Sequence, residues 1–216
     1  MTEQKLMDRF VSRGSRATAA RLKSIRRTPQ IDIFRSCLDD SISSQDTDEL
    51  LETLRSQDAD LGPIHYLEES TISIHRDPRE RASYQLSKGF KTADMEFDLK
   101  SEIQWHLLDD TSRNTQYILQ SWQMIDAQIV AVSKGHEDPH LEVSMRIALD
   151  WIETFIFNRN KRAFIWYDMA VGQRATKIAY LTRTALSNGA SPDVLLPLII
   201  AADAHMVELM QEDRIA

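Results

Sequence analysis

Trp166, Tyr167, Asp168 and Arg174 fall close together in FIWYDMAVGQRATKIAYL, residues 164–181. Their types suit the holding of an anionic sugar. The planar fork of an arginine takes two oxygens of a carboxylate or sulfate at once. Tyrosine and tryptophan give a sugar ring an apolar face with a hydrogen-bonding edge. Asp168 opens a helical pattern, where its carboxylate would accept backbone N–H groups as an N-cap. Arg174 lies one and two-thirds turns further on and points about 120° away from it, so the two need not pair. His205, in AADAHMVEL, completes the group from the last helical segment. The same residues also make sense as packing, with Asp168 a cap, Trp166 between helices, Arg174 paired across them and His205 a hydrogen-bonded core histidine.

Trp105, Asn114, Tyr117 and Trp122 form a second aromatic and polar group. They read either as one rim of a helical array or as core. No metal site is expected, because GHEDPH around His136 and His140 lacks the ligand spacing of HExxH. Walker, GxGxxG, GxSxG and CxxC motifs do not occur in the sequence, which argues against nucleotide-dependent and serine-hydrolase chemistry and against a cofactor. Cys37 is a single cysteine. It excludes an internal disulfide and a multi-cysteine zinc site, and reads as a small core residue.

The elements that must position these residues are helical. Six glycines and six prolines in 216 residues, among many Leu, Ala, Glu, Arg and Gln, favour helix over sheet. The second half predicts four helices, over 113–133, 141–158, 168–187 and 192–213. Lys134-Gly135 with Asp138-Pro139, residues 158–161 and Asn188-Gly189 supply the breaks, and Ser191-Pro192 opens the last helix. Val143, Ile147, Trp151, Ile152 and Phe155 share one face of the second of these. Val171, Ala175, Ile178, Leu181 and Ala185 share one face of the third. Short turns between long helices predict an all-α fold of stacked antiparallel hairpins.

Residues 1–100 read as a helical and irregular region with a basic arm, and 101–216 as one continuous helical-hairpin region. Helices are expected over 3–27, broken at Gly14-Ser15, over 31–38, and over 49–55 behind an Asp46-Thr47-Asp48 cap. Residues 57–100 read as a long irregular connection with one or two short helices. STISIH, residues 70–75, alternates there as a short strand would.

Charge is uneven along the chain. Residues 1–27 hold eight basic side chains against Glu3 and Asp8, a net of +6, so the rest carries −13 of the total −7. Such an arm would contact an acidic partner or pack on its own acidic body, for instance near Asp39 to Asp60. It has no interleaved aromatics for base stacking, and nucleic acid is not an expected partner. The N-terminus lacks the apolar core of a signal peptide. The longest apolar run, 194–202, contains Pro197 and stops at Asp203, well short of the roughly 20 residues that span a bilayer. The expectation is a soluble, cytoplasmic protein with no membrane span.

WYDMAVGQRATKIAYL, residues 166–181, resembles the tryptophan–acidic–small–arginine helix start in the N-terminal domain of heparinase II/III-like proteins. IQW at 103–105, the helix from Tyr117 to Trp122, IALDWIETFI at 147–156 and the histidine at His205 fit the same domain. The likeness covers about half the chain, from Ser101 to Met210. It implies an incomplete α/α toroid, followed in the family by a β-sandwich, in lyases that cleave acidic polysaccharides such as heparan sulfate or alginate by β-elimination. That reaction needs a group to neutralise the uronate carboxylate, and an acid and base to move the C5 proton. The family's asparagine-histidine motif is absent, and the sequence stops near where it would fall. The resemblance therefore implies one wall of a polysaccharide cleft, with Trp166, Tyr167, Asp168, Arg174, His205, Trp105 and Asn114 near the substrate. It also implies a catalytic and β-sandwich portion outside this chain, and no cleavage by this piece alone. The competing reading is a non-catalytic helical interaction module that recruits a partner through its basic arm.

Overall fold

Local capping chemistry divides the chain into short helices. The computed structural model describes residues 16–38, 46–60, 77–136, 139–158 and 164–211. The helices are α1 (Arg16–Ile25), α2 (Gln30–Ser36), α3 (Thr47–Asp60), α4 (Pro78–Lys88), α5 (Arg113–Gln120), α6 (Asp126–Ser133), α7 (His140–Ile152), α8 (Asp168–Ser187) and α9 (Pro192–Leu209). Tight 3₁₀ turns at Trp105–Asp110 and Gln123–Ile125 flank α5, and a π turn at Glu153–Phe157 extends α7. The described residues are mostly helical, and their one sheet is an antiparallel pair, β1 (Phe90–Lys91) and β2 (Glu96–Phe97).

The pair α8 and α9 is the spine. Asn188 and Gly189, the latter at φ +66°, end α8. Pro192 starts α9 behind Ser191, whose side chain makes no cap bond. The short turn returns α9 antiparallel along α8, and α1, α2 and α7 pack on α9 as well. Leu195, Leu198, Ala201, Ala204 and His205 of α9 are buried. One apolar core runs from Leu22 of α1 to Ala204 of α9.

Several predicted boundaries move, each for a local reason. The segment 113–133 is not one helix, because Trp122 adopts left-handed φ 59°, ψ 33° and breaks it. That conformation costs a non-glycine roughly 1–2 kcal/mol. It sends a fully buried indole against Trp151, ring centroids 5.5 Å apart, and burial of so large an apolar surface outweighs the strain. Helix 49–55 is longer, as α3: it starts at Thr47 behind the expected cap, with Asp46 Oδ1 accepting from both Asp48 N and Glu49 N at 3.0 Å, and it runs on to Asp60. Within the long connection, expected to hold one or two short helices, Asp77 caps α4 by accepting from Arg79 N at 2.8 Å. Gly89 then turns the chain into the β pair at φ +78°. STISIH lies outside the described residues.

Helix 141–158 becomes α7 plus the π turn, in which Asn158 N donates to Glu153 O at 2.8 Å. In the described part of the basic arm Arg21 and Arg26 pack inward, while Arg16, Lys23 and Arg27 are exposed. Arg21 pairs with Asp203 at 2.6 Å, Thr18 donates to the Glu208 carboxylate, and Arg26 donates to the carbonyls of Phe155 and Ile156 at 2.8 and 2.7 Å. These contacts seat residues 18–26 on α9 and the π turn. Cys37 is half-buried at the core's edge. Among the described residues no helix is long and apolar enough to cross a membrane.

Candidate functional site

Asp168 is the first residue of α8, not its cap. Tyr167 holds the N-cap position without a side-chain bond, and Asp168 Oδ1 accepts only from the next backbone amide, Met169 N, at 2.7 Å. The predicted cap is therefore displaced by one residue, and the exposed Asp168 carboxylate stays largely in solvent.

From this start α8 sends its side chains into two layers. The inner layer gathers Trp166, Arg174 and His205, all buried. The Arg174 Nε donates to His205 Nε2 at 2.9 Å, and its two terminal nitrogens donate to the carbonyls of Gln120 and Ile165. Its guanidinium carbon lies 4.3 Å from the Trp151 ring centroid and 5.9 Å from that of Trp166. Among the described residues no carboxylate pairs with Arg174, and burial lowers its pKa to about 9. The negative partner is the end of another helix. Gln120 is the last residue of α5, where carbonyls lack intrahelical donors and the helix dipole is negative. Lys177, one turn along α8, does the same with Ser121 O at 2.6 Å and adds an ion pair to Asp126 at 2.8 Å. Burial lowers the Lys177 pKa against the pull of Asp126. Two buried cations of α8 thus cap the C-terminus of α5.

His205 is fixed in one protonation state. Its Nδ1 meets the carbonyl of Ala201 at 2.7 Å, so that nitrogen carries the proton, and Nε2 is left to accept from Arg174. Burial, and then the adjacent guanidinium, push its pKa well below the ordinary value. A neutral, buried imidazole with both nitrogens engaged moves no proton to a ligand in this arrangement.

The outer layer is a continuous strip of contacts over the same region. The Arg113 guanidinium lies 5.6 Å from the Phe164 ring centroid. Phe164 meets Tyr167 edge-on at 5.4 Å, and Tyr167 meets Tyr117 edge-on at 5.9 Å. Gln173 Nε2 donates to the Tyr117 hydroxyl at 2.9 Å. Partial burial raises the Tyr117 pKa, against the Gln173 bond. Phe164 holds φ +62°, a strained value for an aromatic residue, and the carbonyl of Ile165 next to it is the one Arg174 grips.

The expected site residues therefore separate. Trp166, Arg174 and His205 come together, but inside. Tyr167, Asp168 and Asn114 are at the surface, with Tyr167 half-buried. Trp105 is buried and donates its Nε1 to Asp150 Oδ2 at 2.7 Å, reaching the inner layer only through ring contacts with Phe155 and then Trp151. Burial raises the Asp150 pKa against that bond. Sequence reasoning missed Arg113, Phe164, Gln173 and Gln120. Their roles depend on which helix ends meet in space, and no local spacing carries that. Among the described residues no group of three or more His, Cys, Asp or Glu side chains could hold a metal ion. Comparison with protein-family models, curated proteins and solved structures finds no match.

Proposed function

We propose that this chain is the helical, partial-toroid portion of a heparinase II/III-like polysaccharide lyase. In this reading it forms one wall of a cleft for an acidic polysaccharide and does not cleave the polymer by itself. The observation that carries the reading is the cohesion of the motif residues: Trp166, Arg174 and His205 form one packed unit beneath a surface strip of aromatic, amide and basic groups. The antiparallel pair α8 and α9 is the kind of hairpin from which helical toroids are built. On this reading the arginine and histidine are the frame of the wall, and the sugar meets the strip. Proton transfer at the uronate C5 falls to groups other than His205, whose nitrogens are both taken.

Calorimetry with alginate and heparan sulfate oligosaccharides is expected to show binding to the full chain. Incubation with the polymers is expected to release no ultraviolet-absorbing unsaturated uronates. A chain that binds neither polymer overturns the polysaccharide reading, and release of unsaturated product overturns its inactivity alone.

A second reading, a non-catalytic helical interaction module, is favoured by the last turns of α9, where Met206, Leu209 and Met210 are exposed at 55%, 42% and 70%. Sedimentation that depends on concentration in the parent but not in Met206→Ser/Met210→Ser would support that reading by self-association.

A further inference from the structure

We propose that Arg113, Tyr117, Tyr167 and Gln173 form a subsite for one anionic pyranose unit, with its carboxylate or sulfate on Arg113 and its ring against Tyr167. This inference rests on the polysaccharide reading and names the residues that touch the sugar.

The argument begins with Arg113. It is exposed, it has no ion pair or hydrogen bond from its side chain among the described residues, and its guanidinium is held over Phe164 at 5.6 Å. An arginine stacked on a ring keeps its N–H fork free while losing part of its conformational freedom in advance. It is thus set for a two-oxygen anion. At the start of α5 a carboxylate already sits, and its charge disfavours a second anion there. The Asp94 carboxylate already accepts from Ser112 N at 3.0 Å and from the Ser112 hydroxyl. An incoming oxyanion is left to the guanidinium.

The neighbouring groups match the rest of a sugar. Tyr167 is half-buried, and its edge-on contacts with Phe164 and Tyr117 hold its ring in place. The Gln173 amide is oriented by its bond to Tyr117 OH and lies 3.5 Å from the Gln123 amide. Fixed amides of this kind bond to ring hydroxyls. Asp168 and Asn114, both exposed, follow Tyr167 and Arg113 in the chain and offer an acceptor and a donor–acceptor pair.

The test uses the full chain and three tetrasaccharides: a hexuronate, a sulfated one and a neutral one. Arg113→Gln is expected to weaken binding of the two anionic ligands about tenfold, the loss of one charge-assisted contact, and to leave the neutral ligand unchanged. Tyr167→Ala is expected to weaken all three, and Lys88→Gln, an exposed cation elsewhere, none. Saturation of the parent with the hexuronate should shift the ring resonances of Tyr117 and Tyr167 before any variant is made. Should the parent bind anionic saccharides while Arg113→Gln binds them equally well, or with those ring resonances unmoved, the subsite is wrong and the polysaccharide reading stands. Equal weakening of anionic and neutral ligands by Arg113→Gln also rejects the assignment of the anion to that residue. If the parent binds none of the three, both fall.

Discussion

Arg174→Ala separates a structural clamp from a ligand-binding residue. The substitution removes donors from the Gln120 carbonyl, the Ile165 carbonyl and His205 Nε2. Three buried acceptors left without donors cost about 2 kcal/mol each. Loss of the side chain from between Trp151 and Trp166 leaves a cavity worth about 3 kcal/mol more. Against this, the variant no longer buries a charge. A pKa lowered from 12.5 to about 9 corresponds to about 5 kcal/mol of penalty on the charged form. The net is destabilisation by about 4 kcal/mol. For a chain of this size that shifts the melting temperature down by roughly 8–16 °C. Helical circular dichroism on heating and tryptophan fluorescence in urea both report it. Arg174→Lys should fall between parent and alanine variant, since one ammonium keeps the charge but cannot reach all three acceptors. A melt within about 2 °C of the parent refutes the clamp. If that unchanged melt came with lost oligosaccharide binding, Arg174 would be a ligand residue after all.

Two further outcomes follow from the same geometry. The folded pKa of His205 lies well below its unfolded value, so the unfolded chain binds more protons between the two. Stability from this residue is complete above about pH 6.5 and falls as the solution is acidified, by up to about 1.4 kcal/mol per pH unit. His140, also lowered by burial, adds in the same direction. Urea midpoints measured between pH 7 and pH 5 should drop steeply in the parent and less in His205→Gln, and parallel slopes would reject the assignment. Gly89→Ala places a Cβ 2.6 Å from the carbonyl oxygen of Phe97 at a backbone φ of +78°. It is expected to destabilise the chain by about 2 kcal/mol or more, read as a lowered melting temperature.

How much of this was legible depends on how local each cause is. The C-terminal end of α8 and the start of α9 can be read directly, because Asn188-Gly189 and Ser191-Pro192 are self-contained signals, whereas the start of α8 carries no side-chain cap to read. The β pair is invisible in the pattern, since two residues per strand give no period to detect. Trp122 is legible as a buried aromatic but not as a helix breaker. Its left-handed backbone goes with a tertiary contact to Trp151, which is on another helix. The grouping of Trp166, Arg174 and His205 can be anticipated from the motif, but its inward orientation cannot. An arginine goes inside only where acceptors wait for it, and here they are carbonyls of Gln120 and Ile165, which carry no side-chain signature.

The two layers are mechanically one object, because α5 belongs to both. Its C-terminal carbonyls are held by Arg174 and Lys177, and its N-terminal turns carry Arg113 and Tyr117. Gln173 and Arg174 are adjacent in α8, about 100° apart around the helix, so one serves the strip and the other the clamp. Loosening the clamp must therefore disturb the strip, whereas changing Arg113 or Gln173 leaves the clamp intact. Binding defects from the two layers then differ in kind. Those from Arg174 come with a lowered melting temperature and affect every ligand. Those from Arg113 come without one and are confined to anions. On the proposed reading, an arginine that supports a surface from beneath carries the sequence signature of a ligand residue, and the contact with the sugar falls to its neighbours.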